Sequence, residues 1–326
     1  MPTESTPHKI VFLDASTVGS GDVDLSRFED FGTFDAYPTT SPEEKIEHLH
    51  DATIAITNKV VLDQSTLEHC PQLRLICVSA TGVNNIDLDA ARSMNIPVCN
   101  VAGYSTNSVA QHTISLLLNL ATNHHRLAQE HHKWPHSPIF TRLDHPVTEI
   151  AGKTLGIAGA GAIGSAVGRA AEALGMNIQT LARPGSGNPT NTAPWPRVAK
   201  DNFFQTSDAI SLHCPLNDET RHLINLDTLA LMNNEAFLIN TGRGELIDEP
   251  ALADALRSGH LGGAALDVLS IEPPPHDHPL LAPDIPNLIL TPHTAWISRE
   301  ARERLISEVA ANIRAFLDGT PRNLVT

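Results

Sequence analysis

GKTLGIAGAGAIG, residues 152–164, decides the fold. The apolar run TLGIAG reads as a strand, and the segment that opens at Ala162 reads as a helix. Between them stands a G-x-G-x-x-G fingerprint made by Gly159, Gly161 and Gly164. Gly159 permits the tight turn, Gly161 lets a pyrophosphate approach the backbone, and Gly164 lets the helix pack closely on the strand. The helix N-terminus, with Ala162 and Ile163, supplies amide groups and a positive dipole end to the phosphates. A bare fingerprint is weak evidence; one set between a strand and a helix is strong.

The next strand, NIQTLA, ends at Ala182, and Arg183 follows. Dinucleotide-binding folds usually place Asp or Glu here, where it holds the adenine ribose hydroxyls. A carboxylate would also repel a 2′-phosphate. Alanine does neither. Arg183 has two readings: a charge-assisted clamp on a 2′-phosphate, and a solvated loop cation. The expected cofactor is NAD or NADP, with a lean to NADP.

Outward from this unit, strand-like and helix-like segments alternate, which predicts an α/β fold with mainly parallel sheets. KIVFLD (9–14), TIAIT (53–57), LRLICVSA (73–80) and IPVCNV (96–101) read as strands of a first unit. Residues 41–51 and 87–95 read as its helices. A long helical pattern from Ser105 to about Lys133 joins this unit to the second. The chain closes on the helix SREARERLISEVAANIRAFLDG (298–319), with Gly319 as its stop signal. Two proline-rich stretches, 183–197 and 272–286, read as loops, with His276, Asp277 and His278 exposed in the latter.

In the second unit three residues each follow an apolar strand-like run: Arg243 in INTGRGELIDE, Glu272 in DVLSIEPPP and His293 in LTPHTAW. That places them at the carboxyl edge of a sheet, where ligands bind in open α/β folds. An arginine can grip a carboxylate through two parallel N–H bonds. A histidine can move a proton near neutral pH, and a carboxylate can orient it. Singly each has a dull reading; together they favour catalysis.

Composition narrows the class. The 326 residues are 41% hydrophobic and 18% charged, as in an ordinary globular protein, and long enough for two domains. The net charge of −15 argues against a nucleic-acid binder, which needs a basic face. The N-terminus has no signal-peptide pattern, and the longest apolar run is interrupted by Gln111, His112 and Asn119, so no membrane association is expected. Cys70, Cys77, Cys99 and Cys214 have no metal-ligand spacing and read as reduced packing residues of a cytoplasmic protein. The histidines at 124, 125, 131, 132 and 136 lack an acid or cysteine to complete a set, so no metal is expected.

The sequence resembles the D-isomer-specific 2-hydroxyacid dehydrogenases, within them the glycerate dehydrogenase (hydroxypyruvate reductase) group. The resemblance spans nearly the whole chain. It rests on VSATGVNNIDLDAA, NVAGYSTNSVAQHT, GKTLGIAGAGAIG, SLHCPLNDETRHLI, LINTGRGELIDE, GGAALDVLSIEPPP and NLILTPHTAW, in that order.

The resemblance implies two Rossmann-like doubly wound domains. One is a flavodoxin-like, split substrate domain (1–102 and 296–326); the other is an NAD(P)-binding Rossmann domain (103–295). Arg243 is implied to bind the substrate carboxylate and polarise its carbonyl. His293 is implied as the general acid/base, with Glu272 as its partner. Ser79, Ala80, Thr81, Gly82 and Val83 are implied to meet the other side of the carboxylate. Asp267 lies near the nicotinamide amide, and Thr106, Cys214, Pro215, Thr220 and Thr241 are cofactor neighbours. The region around Asn107 to Lys133 is implied to form a homodimer contact, with Trp134 reaching the partner's active site. The implied reaction is reversible reduction of hydroxypyruvate or glyoxylate to glycerate or glycolate.

Ala182 stands where relatives carry an acid, Gly242 where alanine is commoner, and Glu245 where glycine is commoner. The alternatives are a reductase for another 2-keto acid and a cofactor-sensing, corepressor-like scaffold. Formate dehydrogenase chemistry is disfavoured by Glu272. A long phosphoglycerate dehydrogenase is disfavoured by the lack of a further domain after the last helix.

Overall fold

The computed structural model of the chain describes residues 8–182 and 194–326. Arg183 lies outside the described residues. The chain divides into two compact units: residues 1–105 with 297–326, and residues 106–296.

The first unit carries a five-stranded parallel sheet. Its strands are β1 (His8–Phe12), β2 (Gly32–Ala36), β3 (Ile54–Thr57), β4 (Leu75–Val78) and β5 (Val98–Cys99), in the order β2-β1-β3-β4-β5. This is the flavodoxin-like doubly wound order. Every residue of β3 and β4 is buried, which is why those strands read as continuous apolar runs. The edge strand β2 has no such run, and its half-exposed sequence GTFDA hid it from pattern reading. The helix Arg299–Leu317 returns to this unit, burying Leu305, Ile306, Val309 and Ile313 on one face. Ser298 caps its start and Gly319, at φ +75°, ends it.

The second unit carries a seven-stranded parallel sheet: β6 (Thr154–Ala158), β7 (Asn177–Leu181), β8 (Arg197–Val198), β9 (Ala209–Leu212), β10 (Phe237–Asn240), β11 (Gly263–Leu266) and β12 (Leu288–Leu290). Its order, β8-β7-β6-β9-β10-β11-β12, is that of a Rossmann sheet, 3-2-1-4-5-6, with one further edge strand. The strand order reverses between β6 and β9, so a ligand crevice is expected beyond their carboxyl ends.

Two expectations need correction here. The helical pattern from Ser105 to Lys133 is not one helix. It breaks after Thr106–Thr122 at Asn123, whose backbone is left-handed (φ +49°) and whose side chain donates to the Pro146 carbonyl at 2.8 Å. A short helix (His124–Gln129) and a 3₁₀ turn (His131–His136) follow. The stretch 183–197 is not loop to its end. Its last residue enters β8, which is tied to β7 by Thr180 N–H to the Pro196 carbonyl and Ala182 N–H to the Val198 carbonyl, each at 2.9 Å.

Candidate active site

Three glycines shape the turn after β6, each differently. Gly159 has φ +100°, and a Cβ there would lie 2.4 Å from the Cys214 nitrogen, so the turns after β6 and β9 are in direct contact. A Cβ on Gly164 would lie 2.1 Å from the Gly159 carbonyl, because the helix Ala162–Ala173 is pressed onto the turn. A Cβ on Gly161 would meet nothing within 4 Å. Gly161 caps the helix, and its open face is what a pyrophosphate approaching the first helical amides of Ala162 and Ile163 needs. A dinucleotide therefore fits this turn. Gly164→Ala is expected to destabilise the fold by about 1–3 kcal/mol through overpacking. Gly161→Ala is expected to leave the melting temperature unchanged and weaken nucleotide binding. Thermal melts with a nucleotide titration separate the two; a melt lowered equally by both would contradict this division.

From this turn a cavity of about 480 Å³ extends to the end of β7, lined by Gly159, Ala182, Cys214, Pro215 and Thr220 among others. Thr220 Oγ1 donates to the Pro215 carbonyl at 2.7 Å and folds the wall. Next in sequence to the lining residue Cys214, His213 has its Nε2 2.8 Å from Ser211 Oγ. Although residue 213 keeps some exposed surface, its ring is enclosed by protein, and desolvation lowers its pKa from 6.5 to about 4. In the unfolded chain this histidine takes up a proton near pH 6.5, whereas the folded ring refuses it until about pH 4. Stability intact above the first value is thus lost as pH falls towards the second. His213→Gln is expected to shrink the stability difference between about pH 7 and about pH 5 in denaturant titrations. An unchanged difference would contradict the assignment.

Arg243, Glu272 and His293 follow three neighbouring strands. Asn240, Leu266 and Leu290, which end β10, β11 and β12, are aligned in register. The Asn240 side chain fixes the first loop: its Oδ1 accepts from Gly242 N–H at 2.9 Å, and its Nδ2 donates to the Arg243 carbonyl at 2.8 Å. Gly244 has no room for a Cβ, which would fall 1.9 Å from the Leu269 carbonyl carbon, so this loop lies directly on the Glu272 loop. Arg243 is exposed, and its Nη1 donates to its neighbour's carbonyl, Gly242 O, at 2.8 Å.

Glu272 is held at both oxygens. Oε1 accepts from Leu269 N–H at 3.0 Å, and Oε2 lies 2.6 Å from His293 Nδ1. Both side chains are 35% exposed. Among the described residues His293 Nε2 has no partner, so one ring nitrogen is oriented and the other is available. The His293 backbone is left-handed (φ +54°), held by its N–H bonds to the carbonyls of Asp267 (2.8 Å) and Thr291 (3.0 Å). The buried Asp267 carboxylate completes this turn, accepting from Thr291 Oγ1 (2.6 Å), Thr294 N–H and Ala295 N–H (both 2.8 Å). Its observed contacts thus make it the seat of the His293 loop. Thr241 Oγ1 meets Thr113 Oγ1 at 3.0 Å, and Thr106 opens the helix Thr106–Thr122.

A buried network braces the Glu272 loop. Glu249 accepts from Ser270 N–H at 2.8 Å and from Ser270 Oγ at 2.5 Å, and lies 3.1 Å from His278 Nε2. His278 is only 6% exposed, so its reading as an exposed loop residue is corrected: burial of Leu280 beside it draws it inward. Asn240, Gly244, Glu249 and His278 escaped sequence reasoning. For Asn240 a signal existed, a polar residue closing the apolar strand FLIN.

In the first unit, Ser79 to Val83 follow β4. Thr81 Oγ1 donates to the Val101 carbonyl at 2.9 Å, and Asn100 Nδ2 donates to the Thr81 carbonyl at 2.7 Å. Among the described residues the amides of Ala80, Thr81, Gly82 and Val83 find no acceptor, and the buried Ser79 hydroxyl has no partner. Trp134 is 60% exposed, its indole donating to the Phe140 carbonyl at 3.0 Å. In the histidine-rich region Glu130 pairs with Arg142 (2.8 Å), Lys133 (2.9 Å) and His145 (3.3 Å). Among the described residues no group of three His, Cys, Asp or Glu is placed to hold a metal, and no helix is long and apolar enough to cross a membrane.

Residues 114–295 match the family model for the NAD binding domain of D-isomer specific 2-hydroxyacid dehydrogenases. The chain is 40% identical to a hydroxypyruvate reductase of Blautia hydrogenotrophica over 97% of its length and 99% of the relative's. It is 39% identical to a glycerate dehydrogenase of Methylorubrum extorquens over 97% and 98%. Among solved structures, an acyclic imino acid reductase in complex with NADPH and D-Arg superposes with a TM-score of 0.83 at 29% identity, covering 98% of this chain and all of that one.

Proposed function

Because this chain belongs to the D-isomer-specific 2-hydroxyacid dehydrogenase family, we propose that it reversibly reduces hydroxypyruvate or glyoxylate to D-glycerate or glycolate. The enzyme is an oxidoreductase acting on CH–OH groups, with a bound nicotinamide cofactor supplying the hydride in reduction. The observation that carries the reading is the 2.6 Å His293–Glu272 pair on a strand end adjoining that of Arg243. Arg243 grips the substrate carboxylate with its guanidinium fork and draws charge towards the carbonyl oxygen. His293, protonated at Nε2, gives that proton to the forming alkoxide. Glu272 orients the ring through Nδ1.

Turnover of hydroxypyruvate and glyoxylate, with chiral analysis of the glycerate, tests the reading. D-glycerate is expected; no turnover of either acid, or L-glycerate, would contradict it.

The reading includes a homodimer. Its support is the apolar stretch beside Trp134, where Phe140 and Leu143 are 90% and 80% exposed in one copy. Joint replacement of Phe140 and Leu143 by Asp is expected to yield monomers in light scattering; a monomeric wild type would contradict the assignment. A cytoplasmic site for the reaction agrees with four free thiols.

A further inference from the structure

We propose that Arg197 and Lys200 form the binding site for the 2′-phosphate of NADP, and so set the cofactor preference of this enzyme. The inference rests on the dinucleotide reading of the cavity beside Gly159. That cavity runs from Gly159 to Leu181 and Ala182, and Arg197 and Lys200 line it as well. Strand β8 brings them there. Thr180 stands opposite Arg197 and Leu181 opposite Val198, and Ala182 N–H bonds to the Val198 carbonyl, so both cations flank the end of β7. This end is where a ribose-binding carboxylate would stand, and Ala182 leaves it uncharged.

Most of the wall is apolar or neutral, yet among the described residues neither cation has an ion pair or side-chain hydrogen bond. Several other cations are paired, among them Lys9 with Asp51, Arg257 with Asp284 and Arg302 with Asp22. The one acid lining the cavity, Glu219, belongs to the segment after β9, with Thr220, and not to the β7 end. Two cations, unpaired among the described residues, at the β7 end of this cavity call for an anion. A phosphate monoester, carrying about −1.5 to −2 at neutral pH, matches them in charge. Arginine can meet it through two parallel N–H bonds, and lysine as a point charge.

Calorimetric titration with adenosine 2′,5′-bisphosphate and with 5′-AMP isolates the 2′-phosphate without turnover. Charge-assisted bonds to one phosphate predict that the wild type binds the bisphosphate at least about tenfold more tightly. The Arg197→Ala, Lys200→Ala double variant is expected to bring the ratio close to one. Arg197→Lys alone keeps part of it. Ala182→Asp, which restores the ribose carboxylate, is expected to invert the preference. A wild type that binds both nucleotides equally would overturn the proposal, as would a preference that survives the double variant. A wild type that binds neither would instead overturn the dinucleotide reading of the cavity.

Discussion

His293→Ala is expected to lower kcat for keto acid reduction by about 10²–10⁴-fold, the usual worth of a positioned proton donor. The forming alkoxide is a strong base, and without the imidazole it must take its proton from water. Nothing else at this strand end replaces the ring, because the Asp267 carboxylate is already engaged by Thr291, Thr294 and Ala295. Cofactor affinity should be retained, since the glycine turn and its cavity are built from other segments. Glu272→Gln is the milder companion. Its side-chain oxygen can still accept a hydrogen bond from Nδ1 and hold the ring, so kcat should fall less. Steady-state kinetics with a parallel cofactor titration check both. Full turnover by His293→Ala would remove the histidine from the mechanism.

Arg243→Ala is expected to raise KM and lower kcat together. A bidentate guanidinium–carboxylate contact contains two charge-assisted hydrogen bonds, each worth about 1.5–3 kcal/mol. Their sum corresponds to about 10²–10⁴-fold in kcat/KM. The effect appears in both constants because the arginine anchors the acid in the ground state and meets growing negative charge on the carbonyl oxygen in the transition state. Arg243→Lys keeps the charge and loses the fork, so it should recover only part of the activity. Folding is not at stake: the side chain is exposed, and its loop is held by Asn240 acting on main-chain atoms. A rise in KM with unchanged kcat would limit Arg243 to binding.

The residues proposed to carry this chemistry were legible as strand-end candidates because each follows an apolar strand, and the strand pattern survives in a sheet buried on both faces. What was not legible depends on atoms distant in sequence. Asn240 and Gly244 matter because two loops touch. Asp267 matters for the His293 turn because β11 and β12 pair in register, which brings a residue 26 positions earlier under the loop. Glu249 and His278 meet only once the helix Glu249–Arg257 packs against the turn Pro279–Leu281. Arg197 looked like the end of a loop because a two-residue edge strand has too few side chains to show a period. The break at Asn123 was hidden for a related reason: residues on either side have helical patterning, and the left-handed asparagine is fixed by a carbonyl 23 positions away.

The measurement that bears most directly on the account is the pH dependence of kcat/KM in both directions. If His293 is the acid in reduction and the base in oxidation, the reduction rate falls with rising pH as the imidazole loses its proton, and the oxidation rate rises over the same interval. Mirror-image limbs with a common midpoint, both abolished in His293→Ala, are the predicted result. Limbs that run in the same direction, or limbs that survive in His293→Ala, would contradict the His293 mechanism.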